Sequence, residues 1–175
     1  MDIAPDIVAL HPTPTVISAL TETLVEAVAS GASVTFLHPL ALETASAFWT
    51  KSLAAAEAGE RVILGAMEEG ELVGTVTLHL DTPQNQQHRG EIAKLMTRLH
   101  RRGRGVGRAL MLEAERIAGE CGRTLLTLDT ATEDGAGPFY EKLGFIKVGV
   151  IPDYAVTPFG KPSGAIIYFK PIATS

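Results

Sequence analysis

One short apolar run, closed by three alternating glycines and opening into a helix, constrains this chain more than any other stretch. It spans Glu91 to Leu110, EIAKLMTRLHRRGRGVGRAL. Ile92, Leu95 and Met96 suit a pleated, mostly buried strand. Gly103, Gly105 and Gly107 follow at every second position, where the missing Cβ lets the backbone bend sharply and approach a ligand. From Val106 the apolar residues recur at helical spacing: Val106, Leu110, Ala114, Ile117, Ala118 and Cys121 form one stripe, with Glu113, Arg116 and Glu120 off it. A helix opening from such a turn has several N–H groups with no acceptor behind them, a ready site for phosphate. Arg102, Arg104 and Arg108 bring guanidinium groups to the same spot, and guanidinium pairs well with phosphate. The stretch is predicted to be a strand, a phosphate-holding turn and a helix.

Spacing narrows the phosphate ligand. A nucleoside-triphosphate loop needs a Gly-Lys-Ser/Thr ending, and no lysine lies in this turn. A dinucleotide fingerprint needs its third glycine three residues after the second, where Arg108 stands instead. Asp129 lies about where that fold carries its ribose-binding acid, which keeps this reading as a minor alternative. A plain surface helix with a glycine-rich start and a solvated arginine cluster is the other. The net charge of −5 sets this local basic patch on an acidic protein, which points to a bound anion rather than to nucleic acid. No aromatic residue interleaves with the arginines to stack on bases.

In chain order, Asp2–Leu10 reads as an edge strand, stopped by His11, Pro12 and Pro14. Thr15–Ser30 reads as a helix, with Val16, Leu20, Leu24 and Val28 in steps of four and Gly31 closing it. A connection through Gly31–Pro39 leads to a second helix, from about Pro39 to Ala58. Arg61–Met67 and Leu72–Leu80 form a hairpin, then a polar loop runs over Asp81–Gly90. After the central unit come a buried strand at Thr124–Asp129 and a short helix at Gly137–Leu143. Phe145–Val150 and Ala165–Lys170 make a final antiparallel pair, separated by a Pro-Asp-Tyr loop. At 175 residues, with 46% apolar and 20% charged, the chain suits a single α+β domain over 1–175. Its one cysteine, Cys121, allows no internal disulfide and is expected on the buried side of the central helix. His79 and His88 have no second ligand at metal spacing, so no metal is expected. The N-terminus lacks a basic segment followed by an apolar run, and no apolar run reaches membrane-spanning length. A cytoplasmic protein without nucleic-acid or membrane partners is the expectation.

The turn matches Arg/Gln-x-x-Gly-x-Gly/Ala through Arg102, Gly105 and Gly107, and Phe139–Phe145 (FYEKLGF) resembles an LYxKxGF signature. Together they resemble the GNAT superfamily of N-acetyltransferases. That resemblance implies a mixed α/β acyl-CoA N-acyltransferase fold: a central, mostly antiparallel sheet splayed into a V between two parallel strands, flanked by helices. It implies acetyl-CoA as cosubstrate, its pantetheine paired with the backbone of Leu95, Met96 and Thr97. The pyrophosphate would be held by Arg102, Gly103, Arg104, Gly105, Val106 and Gly107, with Arg108 beside them. Tyr140 takes the place of the family's general acid. A thiol near pKa ~8.5 and a phenol near ~10 make a hydrogen bond to the leaving sulfur chemically sensible. The family often carries Asn seven residues before the tyrosine; this chain has Glu133.

Glu91 and Asp129 open and close the two expected parallel strands. Each is a candidate for ordering a water relay and attracting a cationic amine; a solvated strand end for Glu91 and a helix cap for Asp129 are the plainer roles. The acceptor pocket is expected from Phe36 and His38 on the first helix–helix connection, Trp49, and Asp153 with Tyr154. Across GASV at 31, EIAKLM at 91, LLTLDT at 125, VGVIPDYAVTPFG at 148 and AIIYFK at 165, the chain resembles the tabtoxin-resistance type of GNAT acetyltransferase. This implies transfer of an acetyl group to an amine or hydroxyl of a small molecule, such as a toxin or antibiotic, by direct attack in a ternary complex. A protein or peptide acceptor, and a CoA-binding sensor without transfer, stay open at this point, as do monomer and homodimer.

Overall fold

A computed structural model describes residues 4–174. Its elements are strand β1 (Asp6–Ala9), helices α1 (Pro14–Ala29) and α2 (Leu42–Glu57), strands β2 (Arg61–Glu68), β3 (Glu71–His79) and β4 (Arg89–Thr97), helix α3 (Val106–Glu120), strand β5 (Leu125–Ala131), helix α4 (Gly137–Lys142), and strands β6 (Ile146–Val156) and β7 (Pro162–Pro171). Asp2 and Ile3 of the expected edge strand lie outside the described residues. The fold is the mixed α/β arrangement the resemblance implied. Seven strands form one sheet in the order β1-β2-β3-β4-β5-β7-β6, and β4–β5 is its only parallel pair among the described residues.

Alternation along the strands builds a core on each face. Ile63 and Leu72 join Leu20, Leu24, Trp49 and Leu53 beneath α1 and α2, while their neighbours Leu64 and Val73 join Leu110, Ala114 and Leu126 beneath α3. Glu69 and Gly70 turn the β2–β3 hairpin, both at positive φ, the twist that suits a two-residue turn. Gly74 is required by packing: a Cβ there would lie 2.8 Å from Val106 Cγ1 and 2.9 Å from the Met96 carbonyl oxygen. The first turn of α3 therefore rests directly on the sheet.

The parallel pair is short. Arg89, Gly90 and Glu91 pair with Leu125, Leu126 and Thr127, and no pairing follows, although β4 continues along β3 to Thr97 and β5 along β7 to Ala131. The two strands part from Ile92 and Leu128 onward, which is the V. Opposite this opening, β3 advances from Thr75 to Thr77 while β4 advances from Met96 back to Ala93. The extra residue is a β-bulge, with Lys94 at φ 53°, and such bulges re-aim side chains.

Four expectations need correction. The second helix begins at Leu42, not Pro39, because Ala41 is still extended at ψ 142°. The Pro-Asp-Tyr segment is no loop: β6 runs through it with a register shift between Ile151 and Ala155, absorbed by Asp153 at φ 51°. Cys121 is exposed, since α3 stops at Glu120 and Cys121 caps it, off the helical stripe. Trp49, expected in the acceptor pocket, is fully buried in the core under α1 and α2. No helix among the described residues is long and apolar enough to cross a membrane.

Candidate active site

The V and the start of α3 are two ends of one groove of about 570 Å³, lined by Leu95, Met96 and Thr97 of β4, Arg101–Gly103, Gly105–Arg108, and Phe139, Tyr140, Lys142 and Leu143 around α4. On its β4 wall, the edge facing away from β3 has lost its partner strand after Glu91. A polar backbone edge left open in an otherwise paired sheet calls for an extended ligand. At the other end Gly105 caps α3 in the left-handed conformation at φ 83°, an angle that side chains with a Cβ adopt at a cost. The first bond of the helix runs from Ala109 N–H to the Gly105 carbonyl at 3.0 Å. The N–H groups of Val106, Gly107 and Arg108 find no acceptor among the described residues. They and the positive end of the helix dipole make an anion cradle.

The basic residues divide. Arg102 and Arg108 reach the groove wall, whereas Arg104 is on the turn but outside the wall. Arg102 is steered by bonds to the Thr97 carbonyl and Ser30 Oγ, both 3.4 Å. Arg101 and Lys142 also line the groove; Arg101 is already paired with Glu68 at 3.2 Å. The sequence reading gave neither a place in the site, although Lys142 lies within the FYEKLGF segment.

Tyr140 stands where the groove meets a second, smaller cavity. That cavity, about 160 Å³, is lined by Ala32–Thr35, Ile92–Leu95, Asp129, Thr130, Asp134, Ala136 and Tyr140. The Tyr140 ring is buried against Phe139, Phe145 and Tyr168, at centroid distances of 5.1, 6.0 and 6.0 Å. Burial, followed by the negative charges of Asp134 and Asp129, pushes its pKa up to about 12. The phenol therefore holds its proton through the neutral range. Burial likewise raises the Asp129 carboxyl, helped by Glu91 and opposed by Lys94. Asp134 is raised by burial although it accepts from Ser33 N–H at 3.4 Å.

Of the two expected carboxylates, only Asp129 lines the cavity. Glu91 sits where the strands are still paired and is bound to Arg89 at 3.1 Å. None of Phe36, His38, Trp49, Asp153 and Tyr154 lines the cavity. Phe36 packs edge-on against Phe48 at 5.2 Å. His38 is drawn to the β6–β7 turn, its N–H donating to the Pro158 carbonyl at 2.9 Å and its ring 5.2 Å from Phe159. Asp153 and Tyr154 are exposed on β6. The connection after α1 does contribute, through Ala32–Thr35. Lys94 and Asp134 are residues that sequence reasoning missed; the only hint was the EIAKLM segment itself, where a lysine interrupts an apolar strand.

Residues 26–145 match the family described as the acetyltransferase (GNAT) family, which is more than half of the chain. Solved structures with the same fold include an N-acetyltransferase from Staphylococcus aureus Mu50, at TM-score 0.79 and 15% identity over 95% of this chain and 98% of that one. A ribosomal-protein-alanine N-acetyltransferase from Brucella melitensis has TM-score 0.76 and 21% identity over 94% and 99%. The yncA protein of Salmonella typhimurium, solved with its cofactor acetyl-CoA, has TM-score 0.76 and 18% identity over 94% and 93%.

Proposed function

The chain belongs to the acetyltransferase (GNAT) family, and we propose that it transfers the acetyl group of acetyl-CoA to an amine of a small molecule bound in the cavity beside Tyr140. The observation that carries this reading is the continuity of three features. An open β4 edge, a set of unbonded amides at the start of α3, and a proton-bearing phenol between them follow one another along one groove. Acetyl-CoA would supply an activated acyl thioester. Leu95, Met96 and Thr97 would pair with its pantetheine, and Gly103–Arg108 with Arg102 would hold its pyrophosphate. Charge-assisted bonds of ~1.5–3 kcal/mol each, four or five in number, give ~6–15 kcal/mol, a range that brackets the roughly 8 kcal/mol of micromolar binding before ordering costs. Acetyl-CoA in the Salmonella structure supports this assignment by fold.

Tyr140 holds its proton at Oη for the departing sulfur. Asp129, a weak base toward an ammonium, attracts the acceptor and orders water rather than stripping a proton alone. A toxin or antibiotic acceptor, as in the tabtoxin-resistance type, remains part of this proposal on the strength of the sequence resemblance. Isothermal titration of acetyl-CoA, with dephospho-CoA and NADH as controls, tests the cofactor. Micromolar binding that Gly105→Glu weakens is expected, because a charged side chain at a left-handed helix cap strains the turn and repels phosphate. NADH binding in place of acetyl-CoA would overturn the reading.

A further inference from the structure

Lys94 is placed unlike every other half-buried cation of this protein. Arg61, Arg89, Arg98, Arg101 and Lys170 each face a carboxylate, and Arg123 donates to two backbone carbonyls. Among the described residues Lys94 Nζ has only the Thr35 hydroxyl at 2.9 Å and the face of the Phe48 ring at 5.5 Å. Among the described residues no carboxylate lies within 4.0 Å of it. Burial lowers its pKa, with Asp129 the one charge acting against that. It occupies the bulge that opens the V, in a left-handed conformation at φ 53°. Lysine adopts that conformation only at a cost of roughly 1–2 kcal/mol, and strain of this kind gathers at functional sites. The bulge sets Lys94 in the wall of the small cavity that Thr35, Asp129, Asp134 and Tyr140 also line.

The cavity thus holds one cation and two carboxylates that share a space without pairing with one another. Each is partly stripped of water, a condition a ligand of opposite charge relieves. We infer that the acceptor is an amine that also carries an anionic group, the anion taken by Lys94 and Thr35 and the amino group turned toward Asp129, Asp134 and the phenol of Tyr140. Lys94 is then a specificity-determining residue: an amine with no anion leaves its ammonium uncompensated. This inference rests on the acetyl-transfer reading given above.

The test is a panel of matched acceptors, with release of the CoA thiol as readout. α-Amino carboxylates and α-amino phosphonates are each compared with the amine that lacks the anion. The anion-bearing member is expected to have at least tenfold higher kcat/KM. Lys94→Met should lower kcat/KM for that member at least tenfold more than for the bare amine, mainly through KM, and Lys94→Arg should restore part of the preference. Preference for the bare amines, or an equal loss for both members in Lys94→Met, overturns the inference and makes Lys94 a structural support of the Thr35 loop. Acetyl-CoA titration separates the two levels. Binding without transfer to any panel member refutes the acceptor class alone, and absence of binding refutes the acetyl-transfer reading and the inference with it.

Discussion

Replacing Tyr140 by Phe removes one oxygen from a ring whose packing is otherwise complete. The ring's contacts with Phe139, Phe145 and Tyr168 survive the change, and no protein group among the described residues bonds the hydroxyl, which faces the groove and the small cavity. The variant should therefore lose ~0.5 kcal/mol of stability or less and bind acetyl-CoA as before. The catalytic cost follows from the raised pKa. With the phenol at about 12 and a thiol near ~8.5, complete proton transfer is uphill by ~3.5 pKa steps, or ~5 kcal/mol. What the phenol supplies is a hydrogen bond to the developing thiolate, and charge-assisted bonds contribute ~1.5–3 kcal/mol. At ~1.4 kcal/mol per decade this is a ~10–100-fold fall in kcat. The assay is steady-state CoA release with saturating acetyl-CoA, alongside a titration and a thermal melt. Tyr140 should also give wild-type kcat no falling limb through the neutral range, because its raised pKa keeps it protonated there. A variant within threefold of wild type would remove Tyr140 from the chemistry. A loss of 10⁴-fold would instead require full proton transfer and a phenol made far more acidic in the ternary complex.

Gly74→Ala drives a methyl group against Val106 Cγ1 at 2.8 Å and the Met96 carbonyl at 2.9 Å; overpacking of this kind costs ~1–3 kcal/mol. Because those two neighbours lie on α3 and β4, acetyl-CoA affinity should weaken together with stability in urea denaturation, and an unchanged affinity would detach the groove from that contact. Asp129→Asn should leave the melting temperature at pH 7 equal to wild type or higher while lowering turnover. Burial, then Glu91, raises the folded-state pKa of Asp129 against the opposing charge of Lys94. Its contribution to stability is therefore present at low pH and lost as pH rises through that pKa. Melts from pH 4 to pH 8 check the sign: the gap between variant and wild type should close toward pH 4, and a variant less stable than wild type only at pH 7 would contradict it.

The glycine-turn end of the groove could be read from sequence because its conformation is local. A left-handed cap at Gly105 and free amides over the next three residues are consequences of one short segment, and so is the buried stripe from Val106 to Ala118. The strand pattern was equally legible where each residue faces one side of a sheet, as at Ile63 and Leu64. Legibility failed where a distant partner decides. Asp153 and Tyr154 read as a loop because Pro152 breaks the pattern, yet pairing with β7 carries the strand across them as a bulge. Trp49 read as a pocket aromatic, yet α1 closes over it. The acceptor cavity is the extreme case, since its walls come from residues 32–35 and 92–95, from Asp129, Thr130, Asp134 and Ala136, and from Tyr140, and none of these segments has a periodicity that marks a site. Lys94 enters that cavity only because β4 gains a residue against β3, a mismatch between two strands that neither strand reveals alone. One residue of strand register therefore bears on both walls of the V: it sets Lys94 in the cavity and, because it directly precedes Leu95–Thr97, it also sets the open β4 edge, while the glycine turn is independent of it.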